Sequence, residues 1–177
     1  RQNFGQVRSW QQPIINQQEI GILGFISKEF EGVRHFLLQA KMEPGNINTI
    51  QLSPTVQATY SNYQKVHKGK TPRYLEYFLS SQKRIMVDQL QSEQGTRFLR
   101  KRNRNIIIDC KDDIEEDENF IWVTLGQLKT LTALDNHVNM EARSILSCIP
   151  MLTNSNLLEN IQTQFPLNEF NQKLLSS

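Results

Sequence analysis

The first strongly patterned stretch runs from Glu19 to Phe30, EIGILGFISKEF, and leans towards a β-strand. Glu31-Gly32 then supplies a turn, and VRHFLLQAKM returns as a second strand, so the pair predicts a hairpin. Gly21 and Gly24 inside the first strand point to a bulge or a close backbone approach. Ahead of the hairpin, residues 1–18 are polar and Gln-rich, with Trp10 and Pro13 as the only anchors, and read as an extended lead-in. Downstream, Thr49 to Leu52 predicts a short strand stopped by Pro54, and RIMVDQLQ (84–91) predicts another. Arg104 to Asp109 reads as a buried strand built on three consecutive isoleucines, and FIWVT near residue 122 as a further one. Thr124-Leu-Gly-Gln127 has the form of a capping box opening a helix through Leu134. Two more helical stretches follow, around 139–149 and from about 155 to the end. Strands first and helices late predict an α+β fold with a mixed or antiparallel sheet flanked by helices. The implied division is a lead-in over 1–18, one module over 19–150 and a C-terminal helical tail over 151–177. In that tail Leu157, Leu158, Ile161 and Phe165 recur at helical spacing, which suits core packing better than a partner surface.

Length and charge narrow the classes. At 177 residues the chain fits one domain with a real core, and a net charge of +2 calls for neither nucleic acid nor a membrane surface. Two distant cysteines, Cys110 and Cys148, make neither a disulfide framework nor a zinc cage. The three histidines have no metal-ligand spacing, so no metal is expected. No apolar run reaches spanning length and no signal peptide is visible, which predicts a cytoplasmic protein. The first residue is Arg1 rather than methionine, so a piece of a longer protein is expected.

Candidate chemistry concentrates between Lys41 and Phe78, a segment without good helical or strand period. It holds Lys41, Glu43, His67, four tyrosines and many amides, the composition of a pocket-shaping segment. His67 is flanked by Lys65, Lys68 and Lys70, cations that favour a neutral imidazole able to accept a proton. Tyr60, Tyr63, Tyr74 and Tyr77 offer phenols to stack on a base or donate to an oxyanion, though tyrosines of this kind are commonly core. Further along, five of the eight residues from Arg97 to Arg104 are basic, enough for two or three to clamp a diphosphate in bidentate forks. Seven of the ten residues from 109 to 118 are acidic, and that run reads as an exposed loop. The chain lacks GxGxxG, a Walker lysine, GxSxG and HExxH. Nicotinamide, nucleoside triphosphate, serine hydrolase and zinc protease readings therefore have no support.

Longer runs carry more. QPIINQQEIGILGFISKEF, HFLLQAKMEPGNINTIQLSPTVQATYSNYQKVHKGK with PRYLEYF, LQSEQGTRFLRKRNRN, and WVTLGQL with VNMEARSILSCIP resemble the NDP-hexose 2,3-dehydratase family, collinearly from about Trp10 to Pro150. The resemblance implies a lyase of deoxysugar biosynthesis for natural-product glycosides, acting on a dTDP-4-keto-6-deoxyglucose-type nucleotide sugar without a cofactor. It would remove the C2 hydroxyl and C3 hydrogen and leave a 3,4-diketo-2,6-dideoxy sugar. It also implies two tandem Nudix-like modules, of which this chain resembles the first, a second copy in the longer protein, and a homodimer. Anchoring a Nudix metal box on Gly95 puts Asp88-Gln89 and Ser92-Glu93 where Arg-Glu and Glu-Glu belong, so pyrophosphate hydrolysis is disfavoured.

The chemistry assigns His67 or Glu43 as base, a tyrosine such as Tyr63 as acid or oxyanion donor, and Lys41 beside them. Arg102 and Arg104 would face phosphate, with Asn46, Gln51, Tyr60 and Gln94 as further substrate contacts. Two other classes stand beside the dehydratase. One is a nucleotide-sugar-binding or structural module without catalysis of its own. The other is a nucleic-acid binder through Arg97 to Arg104, opposed by the near-neutral charge and the adjacent acidic run.

Overall fold

The computed structural model describes residues 11–59, 71–115 and 117–150. Strand β1 (Gly21–Phe30) and strand β2 (Val33–Met42) form the expected hairpin. Glu31 and Gly32 both take positive φ, at 49° and 78°, as a tight two-residue turn requires. The strands pair antiparallel only from Phe30↔Val33 to Ile26↔Leu37. Beyond that rung they part. Strand β3 (Ile50–Pro54) takes over the β2 edge at Leu38–Met42, and β4 (Val56–Ala58) takes over the β1 edge at Ile22–Gly24.

Thr55, the residue between β3 and β4, sits at the point of divergence and is 2% exposed. Ile26 N donates to its Oγ1 at 3.0 Å, and its hydroxyl donates to the Leu37 carbonyl. One side chain thus reconnects two strands whose own ladder has ended.

Strand β6 (Arg102–Asp109) runs parallel to the other edge of β1, from Gly21↔Asn103 to Ser27↔Asp109. Strand β5 (Arg84–Ser92) is antiparallel to β6, and β7 (Phe120–Thr124) is antiparallel to β2. The result is a mixed sheet in the order β3-β2-β1-β6-β5, with β4 on β1 and β7 on β2. The period-2 alternation divides its side chains between two cores. Ile22, Ile26, Leu37, Ile106 and Ile108 pack with Leu75 and Phe78 of helix α1 (Leu75–Leu79). Leu23, Phe25, Phe36, Leu38 and Ile107 pack with Leu128 of α2 (Leu125–Thr132) and Ala142, Ile145 and Leu146 of α3 (Met140–Ser147). The fold is α+β, with helices on both faces of the sheet. At Gly24 a Cβ would lie 2.2 Å from Phe78 Cε1, so the glycine marks the close approach that its position in a strand predicted.

Local signals held where they were strong. Thr124 N donates to Gln127 Oε1 at 2.8 Å and Gln127 N to Thr124 Oγ1 at 3.2 Å, the reciprocal capping box. The helix it opens stops at Thr132, two residues short of the expected Leu134. β4 and α1 were not foreseen, being three and five residues long and too short to show a period. The helical reading from about residue 155 lies outside the described residues, as do residues 1–10 of the lead-in.

Contacts divide the chain into two units, Ile14–Ile149 and Arg1–Pro13 with Pro150–Ser177, and the architecture above is that of the first. No helix among the described residues is long and apolar enough to cross a membrane.

Candidate functional site

Where β1 and β2 part, polar side chains gather. Lys41, near the end of β2, meets Glu43 just beyond it at 2.7 Å, with both side chains about 30% exposed. Gln57 on β4 donates from Nε2 to Glu43 Oε1 at 3.3 Å and accepts from Asn139 Nδ2 at 3.5 Å. Asn139 is buried and caps α3, taking the Ala142 N–H at 2.9 Å. A continuous polar chain therefore links β2, β4 and the start of α3. Glu141, in the first turn of that helix, is half-buried. Burial pushes its carboxyl above the usual glutamate range; Glu43 and Glu93 add to the rise, while its own backbone amide and Lys41 oppose it. Glu93, one residue past β5, accepts Asn103 Nδ2 at 2.7 Å.

The residues named from sequence fall into three groups. Lys41 and Glu43 meet, and Gln51 stands opposite Lys41 in the β2–β3 register. Asn46 closes the following turn by donating its backbone N–H to the Glu43 carbonyl at 3.2 Å, and its Nδ2 is buried with no partner among the described residues. The second group lies on β5, β6 and the turn between them, with Gln94 N donating to Glu93 Oε1 at 3.1 Å and Arg102 opposite Ser92. Gln94 is an exposed turn residue whose carbonyl accepts from Arg97 N and Phe98 N. Arg102 is exposed at the start of β6. Arg104 is held in a fork by Asp88, with Nε to Oδ1 at 2.7 Å and Nη2 to Oδ2. That pairing holds the Asp88 carboxyl below the usual range. His67, Tyr60 and Tyr63 lie outside the described residues.

The two charge runs also resolve into particular contacts. Lys101, inside the basic run, is buried and donates to the Glu19 carbonyl at 3.3 Å. Asp109 opens the acidic run but ends β6, and its side chain is only 7% exposed between Arg34 and Arg84. The exposed-loop reading therefore fits Asp112, Asp113, Glu115 and Glu118 and fails for Asp109, whose burial the flanking arginines compensate.

Sequence reasoning missed Gln57, Glu93, Asn139 and Glu141. In NMEARSIL the asparagine and glutamate look like an ordinary helix start, and only the α3 packing shows the glutamate facing other charges. Among the described residues, no group of three or more His, Cys, Asp or Glu side chains is placed to hold a metal.

Chemically, the cluster offers a carboxylate beside a cation and a second carboxyl whose burial raises its affinity for a proton. That set can remove one proton, supply another and stabilise a developing oxyanion. Two open clefts among the described residues lie elsewhere, at the turn end of the hairpin around Arg34, Arg84 and Asp109. The Lys41–Glu43 cluster remains the stronger candidate for proton chemistry, because volume alone moves no proton.

A family profile described as NDP-hexose 2,3-dehydratase matches residues 1–149. A dTDP-4-dehydro-6-deoxy-alpha-D-glucopyranose 2,3-dehydratase of Saccharopolyspora spinosa is 55% identical over 149 residues, covering 84% of this chain and 31% of the relative. Enzymes of the same name from Amycolatopsis orientalis and Streptomyces violaceoruber are 55% and 52% identical, over 82% and 80% of this chain. The chain thus spans about a third of the length of these relatives, 31% and 32% for the latter two. Among solved structures, a C. elegans Ap4A hydrolase covers 74% of this chain and 95% of its own at 14% identity, with TM-score 0.43. A Nudix hydrolase from M. smegmatis, RenU, covers 80% and 92% at 13% identity, with TM-score 0.45. Those likenesses are loose, and the α+β assignment rests on the strand pairing itself.

Proposed function

The chain belongs to the NDP-hexose 2,3-dehydratase family, and from that premise we propose that it is one module of a dTDP-4-keto-6-deoxyglucose 2,3-dehydratase. The substrate is then a dTDP-linked 4-keto-6-deoxy sugar. The module, residues 19–150, is Nudix-like, preceded by the lead-in and followed by a helical tail. A second copy completes the longer chain, and the assembled enzyme is a cytoplasmic homodimer. The relatives' threefold greater length supports the tandem arrangement.

The reaction needs no electron carrier, because the C4 ketone acidifies the C3 proton. Glu43 removes that proton, and the enolate charge collects on the C4 oxygen, where Lys41 stabilises it. The enolate then expels the C2 hydroxyl, which takes the Glu141 proton and leaves as water. The C3 enol tautomerises to the 3,4-diketo product. Asn46 and Gln51 bind substrate beside the pair, and Tyr60 contacts the nucleotide. His67 remains a base and Tyr63 an acid or oxyanion donor for the same steps, Arg102 and Arg104 remain contacts of the diphosphate, and Gln94 a further substrate contact. The observation that carries the reading is the Lys41–Glu43 pair at 2.7 Å with the half-buried Glu141 in its field.

The test is Glu43→Gln in the gene-length enzyme, with dTDP binding followed by calorimetry and the diketo product trapped by a reductant. Expected is retained dTDP binding with turnover reduced at least about a hundredfold, the scale of a lost general base. Full turnover by the variant would remove Glu43 from the reaction. A second reading has one observation in its favour, the chain's coverage of only about a third of its relatives. On that reading the module captures nucleotide sugar and chemistry belongs to the other copy, so the 177-residue chain binds dTDP without turnover.

A further inference from the structure

At the turn end of the hairpin, two adjoining clefts of about 310 and 390 Å³ share Arg84, Asp109, Cys110 and Lys111 in their walls. The larger adds Lys28, Arg34 and Glu29, so four of its seven lining residues are cationic and two acidic. The smaller adds one cation, Lys83, one carboxylate, Asp112, the apolar Ile108, and Tyr77, Ser80 and Gln82, three neutral side chains able to donate hydrogen bonds. We propose that this cleft pair is a second binding site, separate from the Lys41–Glu43 cluster, for a small ligand carrying a phosphate or diphosphate group.

The arginines are held in place from below. Asp109 Oδ1 accepts from Arg34 Nη1, and Asp109 Oδ2 faces Arg84 Nη1 at 3.2 Å. Arg34 Nη1 also donates to the fully buried Ser27 Oγ at 3.1 Å, and that hydroxyl donates to the Ile108 carbonyl at 3.0 Å. A buried carboxylate and a buried hydroxyl thus orient guanidinium groups that open on the cleft, the arrangement that makes an arginine fork ready for an anion.

Charge accounting favours the same ligand. Lys28 is engaged by Asp113 at 2.8 Å, Arg34 also meets Glu29 at 3.6 Å, and the Asp109 carboxylate is shared by Arg34 and Arg84. The five cations Lys28, Arg34, Lys83, Arg84 and Lys111 still outnumber the wall carboxylates Glu29, Asp109 and Asp112. Arg84, with its side chain 70% exposed, uses only Nη1 on that carboxylate. Lys111 makes no ion pair among the described residues, and Lys83 spends one donor on the Ser80 carbonyl at 2.7 Å. Unspent donors of Arg84, Lys83 and Lys111 therefore converge on one cleft, beside a Tyr77 phenol that burial and nearby acidic groups keep protonated.

Seven residues along β2 separate Arg34, in the wall of this cleft, from Lys41, which pairs with Glu43. At about 3.3 Å per residue that is roughly 23 Å, so a group held here is not the one reacting beside Glu43.

The experiment follows backbone amide shifts of the isotopically labelled 177-residue chain during titration with inorganic pyrophosphate, with sodium chloride at matched ionic strength as reference. Saturable shifts at residues 83–84 and 109–112 are expected, weakened about tenfold or more in Arg84→Gln/Lys111→Gln and unchanged in Glu43→Gln. Lys111→Gln alone leaves the Asp109 pairs intact and weakens binding by a smaller factor, which separates lost binding from a disturbed fold. Shifts reproduced by sodium chloride, located around Lys41 and Glu43, or insensitive to both cleft variants would each overturn the proposal. Parallel titrations with inorganic phosphate and dTDP identify the source. Equal affinity for pyrophosphate and dTDP means that the diphosphate alone is recognised, and tighter dTDP means that the nucleoside is bound too.

Discussion

Replacing Thr55 by valine tests the reason that the hairpin opens. Valine keeps the shape of threonine and removes the hydroxyl, so the Ile26 N–H loses its acceptor and the Leu37 carbonyl its donor. Ile26 and Leu37 are 0% and 2% exposed, so water cannot stand in for either contact without opening the core. A buried polar group stripped of its partner costs about 1–3 kcal/mol, which puts Thr55→Val at roughly 2–6 kcal/mol for the two. Thr55→Ser keeps the hydroxyl and loses one buried methyl, worth about 1 kcal/mol. Urea unfolding followed by circular dichroism separates the cases. With a mid-range slope of about 2 kcal/mol per molar, Thr55→Val should lower the midpoint by roughly 1–3 M and Thr55→Ser by about 0.5 M. A valine variant within about 1 kcal/mol of the parent, or less damaged than the serine variant, would refute the account of Thr55 as the strand connector.

Gly24→Ala drives a Cβ to 2.2 Å from Phe78 Cε1, and overpacking on that scale costs about 1–3 kcal/mol or more in melting experiments; the smaller Phe78→Leu should recover part of it, and simple additivity of the two would contradict the contact. Glu141→Gln tests the raised carboxyl. The folded state binds that proton more tightly than the unfolded state, so stability falls as pH rises from the ordinary glutamate value through the folded one. The variant should match the parent near pH 4 and melt higher than it at pH 8, and an equal or lower melting temperature at pH 8 would count against the burial argument.

Much of the fold was legible because its signals are local. The β1–β2 hairpin needs only two β-leaning runs and the Glu31-Gly32 turn between them, and the α2 cap needs only Thr124 and Gln127 three residues apart. Long-range pairing was not legible. Nothing in GILGFISKEF says that its partner lies some 80 residues on, in RNRNIIID, or that the two run parallel. Nor does the threonine in LSPTVQA announce that it parts one pair of strands and binds both. Such facts follow from burial of both sheet faces at once, a constraint on the whole chain rather than on any window of it.

The candidate site divides along the same line, and this explains which of its members were found. Lys41 and Glu43 are two residues apart, so a polar segment seen in sequence already contained the pair. Gln57, Asn139 and Glu141 reach it only because β4 replaces β2 beside β1 and α3 packs on that face. The basic run is the opposite case, plain in the sequence while the contacts of its members are not. Its sequence density suggested a phosphate clamp, yet Lys101 turns inward to the Glu19 carbonyl and Arg104 is taken by Asp88 on the neighbouring strand. The cations that line the two clefts, Lys28, Arg34, Lys83, Arg84 and Lys111, come from four separate segments with at most two in succession. A cluster of charge along the chain reports where cations are concentrated, whereas strand register and the counter-charges across it decide which of them stay available to a ligand.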